Sequence, residues 1–280
     1  MDKKKLQYVQ LAAVILVGLN VWVWQGVLAA RITENLVYFL DVGQGDGQLI
    51  VLAPDSGLPV KIIIDGGRDR KVLNALDGAL GRSNNKYVDV VILTHPDLDH
   101  FGGLVEVLRS YDVGLFISNG LSAESAAFGA LQEWLARKNI PAVALMEGDV
   151  IKYRGSVFSV ISPDKELLAA AESNEASLVI MLEASGSRVL FTGDIGFPAE
   201  NALLKKGYDL RADVLKVSHH GSPNSSGENF IAAVRPKVSV IGVGQNRYGH
   251  PAPRVLEVLR LAGSLVHRTD LDGTVKIILD

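Results

Sequence analysis

The sequence predicts an α/β protein of two β-sheets with helices packed outside them, preceded by one N-terminal transmembrane helix. Three observations carry that expectation. Short runs rich in β-branched residues are bounded by Gly, Asn and Asp; helical stretches fall between those runs rather than in one block; and no charged residue interrupts Leu6 to Ala30. With 280 residues, 48% of them hydrophobic and 21% charged, the chain can bury a large core and is not of disordered composition. No repeat or low-complexity linker divides it after Arg31, so residues 1–30 read as a membrane anchor and 31–280 as one globular domain.

A mean hydropathy of +0.22 is high for a wholly soluble enzyme and directs attention to a membrane segment, which the apolar N-terminal stretch supplies. At about 1.5 Å per residue, a helix over Leu6–Ala30 crosses a hydrocarbon core of roughly 30 Å. Lys3, Lys4 and Lys5 precede it, and such a cluster stays cytoplasmic. The expectation is therefore a single-pass protein of the cell membrane with its globular domain outside the cytoplasm, and Trp22 and Trp24 towards the far interface. Val27-Leu28-Ala29 also forms a passable processing site, which would release a secreted domain; an apolar stretch longer than the usual core of roughly 7–15 residues favours the uncleaved anchor.

Further along, strands are expected at Leu36–Val42, Gln48–Leu52, Lys61–Asp65, Val88–Thr94, Gly114–Ser118, Val157–Ile161, Leu178–Glu183, Arg188–Thr192, Asp213–Val217, Val238–Gly242 and Thr274–Leu279. Helices are expected at Arg70–Leu80, Gly103–Tyr111, Ala123–Lys138, Pro198–Lys206, Glu228–Val234 and Pro253–Ala262.

The absence of cysteine excludes disulfides, thiolate ligands and thiol nucleophiles, so any metal must sit on His and carboxylate. A net charge of −3 gives no general attraction to polyanions, and a nucleic-acid substrate would need a local basic groove. Arg68, Arg70, Lys71, Lys216, Arg247, Arg254 and Arg268 flank the motifs below and are the candidates for one.

Chemistry gathers at strand ends. After Val88–Thr94 come His95-Pro96-Asp97-Leu98-Asp99-His100, and two imidazoles with two carboxylates on a strand-to-helix turn can converge on cations. A second strand runs into Thr192-Gly193-Asp194, and a third into Lys216-Val217-Ser218-His219-His220-Gly221-Ser222. Five of the six histidines belong to this set: His95, His100, His219, His220 and, within Asn246-Arg247-Tyr248-Gly249-His250-Pro251, His250. Only His267 lies in an ordinary strand context. Asp41-Val42-Gly43-Gln44-Gly45-Asp46-Gly47 and Ile63-Ile64-Asp65-Gly66-Gly67 add carboxylates among glycines that clear space for a bound group.

Together these residues resemble a known family. The His-x-Asp-x-Asp-His segment, the Thr-Gly-Asp strand end and the later His look like the metallo-β-lactamase fold. In order, the strings DVGQGD, IDGG, THPDLDH, GGL, TGD, KVSHHGS, YGHP and RTD are similar to the hydrolase domain of ComEC-type competence proteins. The resemblance runs from about Leu36 to the C-terminus. It implies an αββα sandwich with a two-metal cleft at one edge and a nuclease role in DNA uptake. Here one apolar segment stands in place of the multi-span channel region of those proteins, so a channel would be a separate membrane component.

Carried over position by position, the resemblance implies that His95 and Asp97 hold one ion, that Asp99, His100 and His219 hold the other, and that Asp194 bridges both. His220 becomes a substrate contact or alternative ligand. The wider family supplies another histidine between the first cluster and the bridging Asp; this chain has none between His100 and His219, and Asn174 and Ser177 lie there instead. A harder, oxygen-richer first site tilts the metal towards manganese or magnesium, with zinc also compatible. A hydroxide shared by two divalent cations is available near neutral pH and suits phosphodiester hydrolysis. Asp99 would orient it or take its proton, and Asp46 and Asp65 would orient ligands. Lys216, Ser222, Asn246 and His250 would touch phosphate oxygens or protonate the leaving alkoxide.

The leading expectation is thus a membrane-anchored phosphodiesterase or nuclease acting on DNA through two divalent metal ions. A hydrolase of another small ester or phosphodiester, and a tethered DNA-binding module with a degenerate site, are the alternatives.

Overall fold

In a computed structural model, residues 15–17, 34–55, 57–81, 85–170 and 173–280 are described. The expected membrane-spanning segment Leu6–Ala30 lies outside them, apart from a helical stretch at 15–17. Among the described residues no helix is long and apolar enough to cross a membrane.

The chain after residue 34 begins with β1 (Asn35–Phe39), β2 (Gly47–Leu52), β3 (Val60–Gly66), α1 (Lys71–Leu80), β4 (Tyr87–Leu93), α2 (Leu98–Ser110), β5 (Asp112–Ser118), α3 (Ala126–Arg137) and β6 (Ala142–Ala144). It continues through β7 (Val150–Tyr153), β8 (Ser156–Ser162), α4 (Lys165–Ala170), β9 (Val179–Ala184), β10 (Ser187–Phe191), α5 (Phe197–Lys206) and β11 (Val214–Lys216). After a 3₁₀ turn at Ser218–Gly221 come α6 (Glu228–Val234), β12 (Val238–Ile241), α7 (Pro253–Leu261), β13 (Leu265–Arg268), α8 (Thr269–Asp272) and β14 (Val275–Leu279). Two seven-stranded sheets result, ordered β14-β1-β2-β3-β4-β5-β6 and β13-β12-β11-β10-β9-β8-β7.

Strand alternation explains the layering. Along β2, Leu49 and Val51 pack with Val72 of α1 and Leu104 of α2, whereas Ile50 and Leu52 face the other sheet. In β9, Ile180 and Leu182 join that inter-sheet layer, and Val179 and Met181 pack against Leu203 of α5 and Phe230 of α6. Because successive strand side chains point to opposite faces, a strand covered on both sides must be apolar throughout. Hence the order helix, sheet, sheet, helix.

Each sheet has an antiparallel half and a parallel half: β3-β4-β5-β6 and β10-β11-β12-β13 are the parallel runs. Ligands of open α/β sheets collect beyond the carboxyl ends of such strands. The carboxyl ends of β3, β4, β10, β11 and β12 carry Asp65, His95, Asp194, His220 and Gly242.

Differences from the expected elements have local causes. The helix expected from Gly103 starts at Leu98, because Asp97 keeps an extended conformation as its N-cap (φ −90°, ψ 146°) and the chain winds immediately after it. Asp99 and His100 are therefore helical rather than in a loop. β6, β7 and β13 were not expected: β6 is a three-residue exposed edge strand of Ala-Val-Ala, too short for a pattern, and β7 and β13 are four-residue, half-exposed edges.

Helix α2 lies close against β3 because Gly103 has no side chain. A Cβ there would fall inside contact distance of the Gly66 carbonyl oxygen and 2.6 Å from that of Asp69. Gly103→Ala is expected to destabilise the domain by about 1–3 kcal/mol, whereas Gly129→Ala, in the open interior of α3, should stabilise it by about 0.5–1 kcal/mol. Urea unfolding midpoints check this; coincident midpoints for the two variants would show that the close approach carries no strain.

Candidate metal centre

Three imidazoles are buried at the shared sheet edge, and each has its Nδ1 side accounted for. His100 Nδ1 lies 2.8 Å from Asp65 Oδ2, and a carboxylate can only accept, so Nδ1 carries the proton. His220 Nδ1 lies 2.8 Å from the Gly242 carbonyl oxygen, with the same consequence. His95 Nδ1 faces two hydroxyls, Thr94 Oγ1 at 3.0 Å and Ser177 Oγ at 3.2 Å. Thr94 spends its proton on Asp65 Oδ2 and Ser177 spends its own on the Asn174 carbonyl. Both oxygens therefore accept from His95 Nδ1.

All three rings thus present Nε2 inward, and in none of the three does a buried Nε2 make a hydrogen bond. A backing carboxylate or carbonyl that fixes the imidazole tautomer is the arrangement metal-ligating histidines use. Asp194 Oδ2 sits among them, 3.3 Å from both His100 Nε2 and His220 Nε2. Asp46, His100, Asp194 and His220 each offer a ligand atom, all within 4.8 Å of one another, and all four residues are buried. This donor set of two imidazole nitrogens and two carboxylates fits a divalent cation.

Asp65, in a left-handed conformation (φ 56°), is the brace of the group. It accepts from the Thr94 backbone N–H and the Thr94 hydroxyl as well as from His100. Asp46 enters from the loop between β1 and β2, its backbone N–H donating to the Asp99 carbonyl (3.2 Å). Lys216 is 1% exposed; its ammonium donates to the Gly193 carbonyl (2.9 Å), pairs with Asp46 Oδ2 and lies 3.5 Å from Asp194 Oδ1.

The electrostatics follow from burial against neighbouring charge. Burial resists ionisation of Asp194, but His220, His100 and Lys216 outweigh it and hold the carboxyl well below its ordinary range. Burial likewise opposes charge on His100 and His220, and Asp194 with Asp65 or Asp46 reverses it, raising both well above the usual imidazole range. His95 is pushed down to about 4 by burial and by His100, which outweigh Asp194, Asp65 and Asp97. Carboxylates that hold protons this firmly also attract a divalent cation, which takes the place of those protons on Nε2.

The other expected residues lie around this core. Asp97 is partly exposed, accepts from the Ser173 hydroxyl (2.7 Å) and lies 3.9 Å from His95 Nε2. Asp99 is 3.5 Å from His220 Nε2 at the mouth; burial raises its pKa, yet His220 and His100 bring it well below the usual carboxylate value. His219 and His220 both adopt left-handed backbone angles (φ 50° and 52°), which swings the two rings to different depths. His220 is in the inner group, whereas His219, more exposed, has Nε2 3.8 Å from Asp194 Oδ2. His220, expected as a substrate contact or alternative ligand, is thus the one of the pair in the inner group, and His219, expected as the ligand, lies further out.

Three expected phosphate contacts are turned elsewhere. Lys216 is sealed inside. Ser222 is buried, its Oγ accepting from the Asn224 N–H within its own turn. Asn246 closes the loop around it: its amide donates to the Gly244 and His250 carbonyls and its oxygen accepts from the Tyr248 and His250 N–H groups. His250 is half-buried beside His219, with ring centroids 5.7 Å apart, and its pKa is lowered by burial and by His219 and His220. His267 is remote from the centre and pairs with Asp272. Sequence reasoning gives Thr94 and the Gly242 carbonyl no role and Ser177 only a place in the stretch where the family's further histidine falls; Thr94 beside His95 at a strand end and Ser177 in that stretch are the signals that point to them.

Of the basic residues, Arg254 donates to the Ser225 and Ser226 carbonyls and Arg268 pairs with Asp270. Arg68, Arg70, Lys71 and Arg247 are exposed, and among the described residues none has an ion-pair partner within 4.0 Å.

Residues 61–245 match the metallo-beta-lactamase superfamily, and the chain belongs to it. Its curated relatives include ComE operon protein 3 of Bacillus subtilis (strain 168), 34% identical over 265 residues, covering 87% of this chain and 33% of that protein. Competence protein ComA of Neisseria gonorrhoeae is 28% identical over 245 residues, 87% of this chain and 32% of that one. The likeness is to a ComEC-like hydrolase domain, and the chain spans about a third of the length of these relatives. Among solved structures, the metallo-beta-lactamase fold protein YhfI from Bacillus subtilis superposes with a TM-score of 0.59 at 11% identity, covering 88% of this chain and 99% of that one.

Asp65→Asn keeps an acceptor for Thr94 and suits the left-handed backbone, but it cannot accept from His100 as a carboxylate does. Competition against a chelator should show divalent-cation affinity lowered about 10- to 100-fold in a folded protein; unchanged affinity would show that the brace does not support the centre.

Proposed function

We propose that the domain is a metal-dependent phosphodiesterase that cleaves DNA outside the cytoplasm. The observation that carries this reading is the convergence of His100 Nε2 and His220 Nε2 on the Asp194 carboxylate, with the His95 ring packed against His100 and all three Nδ1 protons committed elsewhere. Similarity to competence proteins supports DNA as the polymer.

In this reading His100, His220, Asp46 and Asp194 would hold one divalent ion, and His95 and Asp97 would hold a second. Such ions supply Lewis acidity that activates water near neutral pH and neutralises charge on a phosphoryl group. The chain's own groups do the rest. Asp65, Gly242 and the Thr94/Ser177 pair keep the three rings in one tautomer and orientation. Lys216 offsets the charge of Asp46 and Asp194 from behind, which limits repulsion between buried carboxylates. Asp99, held ionised well below neutral pH, is a weak proton acceptor there and a strong hydrogen-bond acceptor, so its work is to orient the attacking water. His219 and His250 line the mouth; His250, kept neutral, donates a ring N–H to a phosphate oxygen. Arg68, Arg70, Lys71 and Arg247 attract the strand.

An oxygen-rich second site favours manganese or magnesium over zinc. Residues 1–30 serve as a membrane anchor, with 31–280 as the exported hydrolase domain. Lys3 to Lys5 and the uncharged Leu6–Ala30 segment support that orientation.

With manganese, the full chain is expected to cleave a single-stranded oligonucleotide, and Asp194→Asn to lose at least about 100-fold in turnover. Cleavage of a generic phosphodiester but of no nucleic acid would transfer the reading to a small substrate, and binding without cleavage would leave a tethered DNA-binding module. External protease should digest the domain on intact cells; digestion only after permeabilisation would reverse the topology.

A further inference from the structure

The loop between β12 and α7 presents an aromatic ring that the hydrolytic machinery above does not use. Tyr248 is 72% exposed. It is nevertheless held on an ordered turn, since the four hydrogen bonds of the Asn246 side chain close the loop at Gly244, Tyr248 and His250. The foot of that loop is seated on the centre: the Gly244 N–H donates to Gln44 Oε1 (3.2 Å), and a Cβ at Gly244 would collide with Gly43 and Gln44. Two residues beyond Gln44 is Asp46.

Tyr248 is also the outer end of a file of rings. His219, with Nε2 3.8 Å from Asp194, lies 5.7 Å from the His250 ring, and His250 lies 5.6 Å from Tyr248 at an interplanar angle of 33°. Beside it stands exposed Arg247. Across the foot of the loop, Lys71 reaches over Gly43, where a built Cβ would be 2.9 Å from Nζ. Both are cations without an ion-pair partner among the described residues.

A single exposed apolar side chain is ordinary on a protein surface. A ring mounted on an ordered turn, with its exposed side ending a file of rings from a hydrolytic centre and an exposed unpaired arginine next to it in the chain, has the composition of a site that stacks a base and tracks a phosphate backbone. Phosphate contacts alone ask for no ring. Nor does a duplex offer one a partner, since its bases are already stacked on each other.

We propose that Tyr248 is the stacking subsite for an unpaired nucleobase flanking the bond that is cleaved, so that the strand enters the centre single-stranded. The proposal rests on the phosphodiesterase reading and adds to it the form of the substrate and the residue that selects it.

The test compares the full chain with Tyr248→Ala and Tyr248→Phe, in manganese, on a single-stranded oligothymidylate and on a strand of equal length carrying abasic sites. The ratio of kcat/KM on the base-bearing strand to that on the abasic strand should fall about 5- to 100-fold in Tyr248→Ala and hold in Tyr248→Phe. A ratio unchanged in Tyr248→Ala, with both strands cut, overturns the stacking subsite and leaves the phosphodiesterase standing. Wild-type protein that cuts neither strand overturns the phosphodiesterase reading, and the subsite with it.

Discussion

Everything at this sheet edge depends on where three protons sit. Committing Nδ1 of His95, His100 and His220 to acceptors behind them leaves each Nε2 facing forward, as a lone pair on His95 and, on His100 and His220, as the position where a cation displaces the proton that Asp194 favours. The acceptors come from separate parts of the chain: Asp65 at the end of β3, the Gly242 carbonyl after β12, and a pair of hydroxyls whose own protons are used elsewhere. None of them need touch a substrate or cation to decide what the rings can do.

The sandwich makes that convergence affordable in structural terms. Both sheets end their parallel strands at one edge, so β3 and β4 of one sheet and β10, β11 and β12 of the other deliver polar residues to a common point without breaking the apolar layers behind. Burying several carboxylates together is unfavourable unless opposite charge is close at hand. Lys216 supplies part of it from the interior, and the imidazoles supply more. The same charges that make the cluster tolerable hold it ready for a divalent cation.

Much of this was legible in the sequence. Apolar runs ending in Thr94-His95, Thr192-Gly193-Asp194 and Ser218-His219-His220 showed which strands open onto the site, and six of the expected helices recur in the structure. Less visible were features set by backbone conformation. The left-handed angles at His219 and His220 decide which ring goes inside, and adjacent histidines carry no periodicity that reveals it. The early start of α2 carries His100 into a helix, a consequence of the extended Asp97 that residue types alone do not dictate. Lys216 resembles a surface phosphate ligand until the depth of β11 is known, and Asp46 resembles an orienting residue until its loop is seen folded over Asp99. Short exposed edges such as β6 lie below the length at which alternation is readable.

The most direct measurement of the account is nitrogen-resolved NMR of histidine-labelled protein during titration with zinc. Zinc should move the Nε2 resonances of His95, His100 and His220 while their Nδ1 protons persist, and should leave His267 in place. Zinc that instead displaced the Nδ1 protons, or acted on His267 with the three buried rings untouched, would contradict it.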